Sequence, residues 1–116
     1  MRRLTLNPKS AVHVPYTLSS DVVVVRAHST DVVTLRVLDS VNAAAYQKGS
    51  IFYSLAVSQH KLDHEMAVRL PSLGEWFLTI ENFTGSSADV DFEVIEQRYG
   101  GSPTGAQGIL SGSIFR

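Results

Sequence analysis

The sequence predicts an all-β chain, an antiparallel β-sandwich of about seven to eight strands with one short helix near 41–47. Three observations carry this: apolar residues alternate with polar ones in seven separate stretches, short turn signals divide those stretches at regular intervals, and only one segment has helical character. A strand buried on one face repeats its apolar residues every two positions, and many short strands with short turns favour a sandwich over βαβ units.

Taken in order, Val12, Val14, Tyr16 and Leu18 mark the first strand, with Pro15 inside it. Proline offers no amide hydrogen to a ladder, so this strand is expected either at a sheet edge or broken at Pro15. Val23, Val25 and Ala27 mark the second strand and Val33, Leu35 and Val37 the third, with Ser29-Thr30-Asp31 read as the turn between them. The run Val22 to Val25 is apolar on both faces, as in a central strand or one that meets a partner subunit. Val41 to Gln47 reads as one or two helical turns, since its alanines favour helix, Asp39-Ser40 offers a cap and Gly49 a stop. Ile51, Tyr53, Leu55 and Val57 mark a fourth strand. Met66, Val68 and Leu70, then Trp76, Leu78 and Ile80, form two arms about Pro71-Ser72-Leu73-Gly74 and predict a hairpin. Val90, Phe92 and Val94, interleaved with Asp89, Asp91 and Glu93, mark the last strand. The expected architecture is jelly-roll or CUB-like.

The domain is expected to span 1–98, with 99–116 a glycine-rich linker and a short apolar tail. Ile109, Leu110, Ile114 and Phe115 in that tail are expected to dock on their own domain or on another chain.

At 116 residues and 44% hydrophobic content the chain suits one domain with one core. Ten basic and eleven acidic residues leave a formal charge of −1, which argues against nucleic acid and anionic lipid as partners. The absence of cysteine excludes disulfides, zinc-thiolate sites and thiol nucleophiles and points to the cytoplasm. The start Met1-Arg2-Arg3 is basic, but the next residues, Leu4 to Ser10, are too few and too polar for the apolar core of a signal peptide, and no apolar run approaches the roughly 20 residues that span a bilayer. Asn82-Phe83-Thr84 matches the glycosylation sequon, which has meaning only in a secreted chain.

The middle of the chain, L-R-V-L-D-S-V-N-A-A-A-Y-Q-K-G from Leu35 to Gly49 and A-V-R-L-P-S-L-G-E-W-F-L-T-I-E-N-F from Ala67 to Phe83, resembles a bacterial family described as domain of unknown function 1883. The matching elements are Leu38-Asp39-Ser40-Val41-Asn42, Tyr46-Gln47-Lys48-Gly49 and Pro71-Ser72-Leu73-Gly74-Glu75-Trp76, and the resemblance spans about 21–95. It implies a compact β-sandwich, found alone or attached to TIR-type domains, and a bacterial signalling or defence setting. The chain departs from the family where a Tyr-Tyr-Gly-Gly-like segment reads Phe52-Tyr53-Ser54-Leu55.

Candidate sites are few. His60, Asp63 and His64, with Glu65, form the densest group of metal-ligand types, in a segment read as a loop between strands; zinc needs three or four such groups converging, and the spacing lacks a His-Glu-x-x-His pattern, so no metal or other cofactor is expected. Asp39, Asn42 and Tyr46 occupy the most distinctive loop and, with Tyr53 and Trp76, offer a patch suited to stacking on a sugar ring, against the simpler reading of backbone caps and a core tryptophan. Arg26, Arg36 and Arg69 are expected on outward faces in cross-strand ion pairs. No nucleophile elbow, phosphate loop or acid/base pair stands out, so no catalytic residue is assigned. The function expected is a non-catalytic interaction module with a protein partner or a homo-oligomer. A small-ligand or carbohydrate-binding domain is the alternative, followed by a metal-dependent enzyme built on His60 and His64 and by a phage structural component.

Overall fold

The computed structural model describes residues 1–18, 21–71 and 74–97. Six strands and one helix follow in the order β1 (Arg2–Leu6), β2 (Ser10–Leu18), β3 (Val22–Asp39), α1 (Ser40–Lys48), β4 (Ala56–Arg69), β5 (Gly74–Asn82) and β6 (Ala88–Gln97). The antiparallel all-β class and the short helix agree with the sequence. The described residues form six strands of one curled sheet, where the sequence predicts seven or eight in a sandwich.

The sheet is organised by β3. Its first part, residues 22–29, pairs with β6, and its last part, residues 34–39, pairs with β5 on the same flank. β4 runs along the opposite flank of both parts. β1 then extends the sheet beyond β6, and β2 extends it beyond β5. The residues alternating inward from both parts of β3 (Val23, Val25 and Ala27, then Val33, Leu35 and Val37) belong to one core with Leu6, Val14, Val68, Trp76, Leu78, Ile80, Val90 and Phe92. Each such side chain contributes about 1.5–3 kcal/mol when removed from water. The curl therefore buries the inner face of the sheet against itself.

The two strands expected about Ser29-Thr30-Asp31 are one, because the polar side chains there satisfy a bulge and not a turn. Ser29 Oγ donates to the Asp31 carbonyl at 2.6 Å, Asp31 Oδ1 accepts from the Val32 amide at 2.8 Å, and Thr30 Oγ1 accepts from the Asp89 amide at 2.9 Å. Between His28↔Asp63 and Val33↔Lys61 the ladder takes five steps on β3 and two on β4. A second irregularity follows at His60, whose φ is 51°. Paired bulges of this kind bend and twist a two-stranded ribbon.

The hairpin expected from Met66 to Asn82 is not formed. β4 and β5 do not pair with each other; each pairs with β3 on a different flank, so the chain crosses from one side of β3 to the other between them. Alternation correctly assigns Val68, Leu70, Trp76, Leu78 and Ile80 to the core, with Met66 packed against it. It is blind to which strand lies alongside. β1, not expected, pairs with β6 through Leu4↔Val90 and Leu6↔Ala88, and an Arg3–Asp91 fork at 2.7 and 2.9 Å fixes its register. β2 is an edge strand, as Pro15 requires.

Asn82 joins the ends. Fully buried, its amide nitrogen donates to the Leu6, Asn7 and Ser86 carbonyls, and its oxygen accepts from the Thr84 amide and hydroxyl. The sequon asparagine is thus a clasp between the β1–β2 and β5–β6 connections. Asn82→Ala removes the donor from the buried Leu6 carbonyl and from the Asn7 and Ser86 carbonyls nearer the surface, and is expected to cost about 1–3 kcal/mol. Urea unfolding of the variant measures it.

Candidate functional site

α1 is seated on the outer face of β2, β5 and the end of β3. Asp39, in extended conformation, caps it by accepting from the Asn42 amide at 2.8 Å, and Gly49 closes it with φ of 75°, a left-handed conformation that glycine adopts without strain. Asn42 is held in turn by Asp39 Oδ1 at 3.0 Å and accepts from the Tyr53 amide at 2.8 Å. The first turn of the helix therefore pins the extended segment that follows it.

Beneath the helix lies a polar cluster centred on Glu81. Ladder register puts His13, Thr79 and Arg36 in one row across β2, β5 and β3, with Glu81 one pair further along β5. Tyr46 of α1 donates its hydroxyl to Glu81 Oε2 at 2.6 Å, and Arg36 Nε donates to Glu81 Oε1 at 3.0 Å. Arg36 also reaches Ser54 Oγ at 3.2 Å and lies over the Phe52 ring, which packs against Tyr46. His13 Nδ1 lies 2.7 Å from Thr79 Oγ1 and the ring meets Tyr46 edge-on. Glu81 is 3% exposed, and two donors offset the cost of burying its charge. Burial, then the Glu81 contact, pushes the Tyr46 phenol well above its ordinary value, so it stays protonated as a donor. Burial holds the His13 imidazole below its ordinary value, with Glu81 opposing. Both Glu81 oxygens are occupied within the protein, so the cluster's chemical role is to hold α1 and residues 49–55 against the sheet.

The cluster draws Phe52 and Ser54 inward and so turns their neighbours out. Ile51 is 84% exposed, Tyr53 75%, Leu55 37% and Val57 45%, and Val41 beside the pinned turn is 76% exposed. The sequence predicts the opposite phase, a half-buried strand with these four residues on its inner side. Period two is present, but the aromatic contact of Phe52 and the Ser54 hydrogen bond decide which set faces the sheet. The result is an apolar ridge within 49–59, eleven residues without a formal charge.

The other expected sites are not assembled. Asp39 and Asn42 are occupied as caps, Tyr46 serves Glu81, and Trp76 is buried on the inner face, stacked on Tyr16 at 5.1 Å, so the aromatic patch is divided between two faces of the sheet. The Trp76 indole N–H has no hydrogen-bond partner among the described residues. His60, Asp63 and His64 lie within β4 and not in a loop. His64 is buried with Nδ1 at 2.7 Å from Ser58 Oγ and Nε2 at 2.9 Å from the Lys61 carbonyl, while Asp63 pairs at the surface with His28 at 2.6 Å. Among the described residues no three potential ligands converge. Arg26 pairs across strands with Glu65 at the surface, as expected, and Arg69 pairs with Asp21 just before β3, while Arg36 pairs with the buried Glu81 beneath α1. Ile109, Leu110, Ile114 and Phe115 lie outside the described residues. No helix among the described residues is long and apolar enough to cross a membrane. Alternation in the sequence puts Arg36, Thr79 and Glu81 on outward faces but does not join them, because the register that brings them together depends on β3 pairing with β5.

No family model and no curated protein matches the chain.

The buried polar groups set two expected outcomes. Burial holds His64 as well as His13 below the ordinary value. Their contribution to stability is complete above the unfolded value of about 6.5 and is lost as pH falls below it. Thermal melts from pH 7 to pH 5 should show a falling Tm, with a shallower slope in His64→Gln. The Asp31 and Asp91 carboxyls, held low by Ser86 and Arg3 respectively, stay ionised over that range and do not contribute. Tyr46→Phe removes one of two donors to a buried carboxylate and should cost about 1–3 kcal/mol in urea unfolding.

Proposed function

We propose that this chain is a non-catalytic recognition module that docks a protein surface, in the first place a second copy of itself, on the ridge of Val41, Ile51, Tyr53, Leu55 and Val57. The observation that carries this is the outward phase of the ridge: four alternating large apolar residues face solvent in an uncharged segment whose backbone is held by Asn42 and by the cluster around Glu81. Exposed apolar surface on a rigid, uncharged element is the usual mark of a protein interface, and tyrosine is favoured at the centre of such patches. The ridge runs into β4, an edge strand among the described residues and open to strand addition.

On this reading the two curled halves are the facing layers of a jelly-roll-like sandwich, and the module works in the cytoplasm. The likeness of 21–95 to the domain of unknown function 1883 family supports a bacterial signalling or defence setting, where a recognition domain accompanies a separate effector. The cluster of Tyr46, Glu81 and Arg36 is internally satisfied and supports a positioning role over a catalytic one.

Light scattering across a dilution series tests the proposal. The wild type should show a concentration-dependent mass above that of the monomer, and Ile51→Asp/Tyr53→Ser should weaken association on the order of 100-fold or more, since two buried large side chains worth about 1.5–3 kcal/mol each are lost. A wild type that stays monomeric throughout, or a double variant that associates as before, overturns it.

A further inference from the structure

We infer that residues 109–115 of the chain's own C-terminal segment dock in cis in a groove at the open margin of the sheet. The groove, of about 310 Å³, is lined by Met1, Arg2, Tyr16, Phe92, Glu93 and Val94. It exists because pairing between β1 and β6 stops at Arg2↔Phe92, after which Glu93 and Val94 border open space and not another described strand. Tyr16, from β2 in the other half of the sheet, forms the facing wall and is braced by its stack on Trp76. Phe92 is fully buried behind the groove and covered by the Arg2 guanidinium, 5.3 Å from the ring. The walls are thus aromatic and aliphatic, with one cation and one carboxylate at the rim.

Chain length and position select the occupant. Val94 lies three residues before Gln97, so the described residues end close in sequence to the groove lining. Residues 98–108 can span up to about 36–40 Å when extended, far more than a return past three residues of β6 requires. The segment 99–115 carries no formal charge to desolvate. Ile109, Leu110, Ile114 and Phe115 supply side chains that match the walls. A segment returning antiparallel to β6 would continue the line of β1, the strand-addition mode of peptide capture. A short tether holds the local concentration of the tail in the millimolar range, which favours its own groove over that of a second copy. This docking involves none of the ridge residues, so either proposal can fail alone.

The chain has no cysteine, so Ser111→Cys in the full-length protein gives a single site for a nitroxide label. In ¹⁵N-labelled protein carrying the label, amide peaks of Arg2, Tyr16, Phe92, Glu93 and Val94 should lose most of their intensity. They should recover it on adding Ile114→Asp/Phe115→Asp, which touches none of the described core. A mixture of labelled ¹⁴N protein and unlabelled ¹⁵N protein should show no such loss. Loss in the mixture places the tail in a second copy and overturns docking in cis. Loss at 51–57, or no localised loss at all, overturns the groove as the site.

Discussion

A strand that hydrogen-bonds β6 with its first part and β5 with its last cannot remain straight, and the fold depends on where β3 bends. Backbone amides and carbonyls buried in a bend need partners as much as those in a ladder do. Ser29, Thr30 and Asp31 supply them from side chains, and Ser86, which donates to Asp31 Oδ2 at 2.8 Å, ties the bend to the β5–β6 connection. Asn82 clasps that same connection to the corner between β1 and β2. The bend, the clasp and the β1 edge therefore form one mechanical unit at one end of the molecule. His64, buried beneath the bulge with both ring nitrogens occupied, belongs to it as well. Burial there disfavours its charged form.

At the other end, the same strand carries Arg36 outward, and the consequence is a polar layer between the sheet and α1. A buried carboxylate is costly unless its lone pairs are filled, and Tyr46 and Arg36 fill both oxygens of Glu81. Because Arg36 also binds Ser54 and covers Phe52, that local electrostatic demand fixes the phase of residues 50–55. The exposure of Ile51 and Tyr53 follows from the burial of Glu81. Charge satisfaction on one side of the segment is what creates hydrophobic surface on the other.

These two ends explain what the sequence discloses. Alternation identifies Val23, Val25, Leu35, Val37, Leu78 and Val90 as core because a one-residue slip would turn each strand inside out. The caps Asp39 and Gly49 are legible because helix ends have local chemistry. Pairing is not legible in the same way: Met66 to Ile80 has the pattern of a hairpin, yet β4 and β5 lie on opposite flanks of β3, since long-range register leaves no mark in a local window. Ser29-Thr30-Asp31 has the composition of a turn, and a bulge asks for the same side chains. The ridge escapes a local reading for a related reason. Ile51, Tyr53, Leu55 and Val57 are the larger and more apolar set, and only the three-dimensional partnership of Phe52 and Ser54 with Arg36 overrules that preference.

The edges of the sheet give the ridge its meaning. An exposed edge invites pairing with other chains, and each edge here carries a different defence. β1 is five residues long and locked by Arg3–Asp91. β2 carries Pro15 near its centre. β4 is the longest edge at 14 residues, and from His60 onward it is bulged and lined by His60, Lys61, Asp63, Glu65 and Arg69. Those devices stop short of Val57, and the segment leading into β4 combines high β propensity, no proline and no charge. Such a stretch left open would be an aggregation hazard, which natural sequences interrupt with charge or proline unless the surface has an occupant. β1, β2 and β4 from His60 onward thus carry devices that the interval 51–57 lacks.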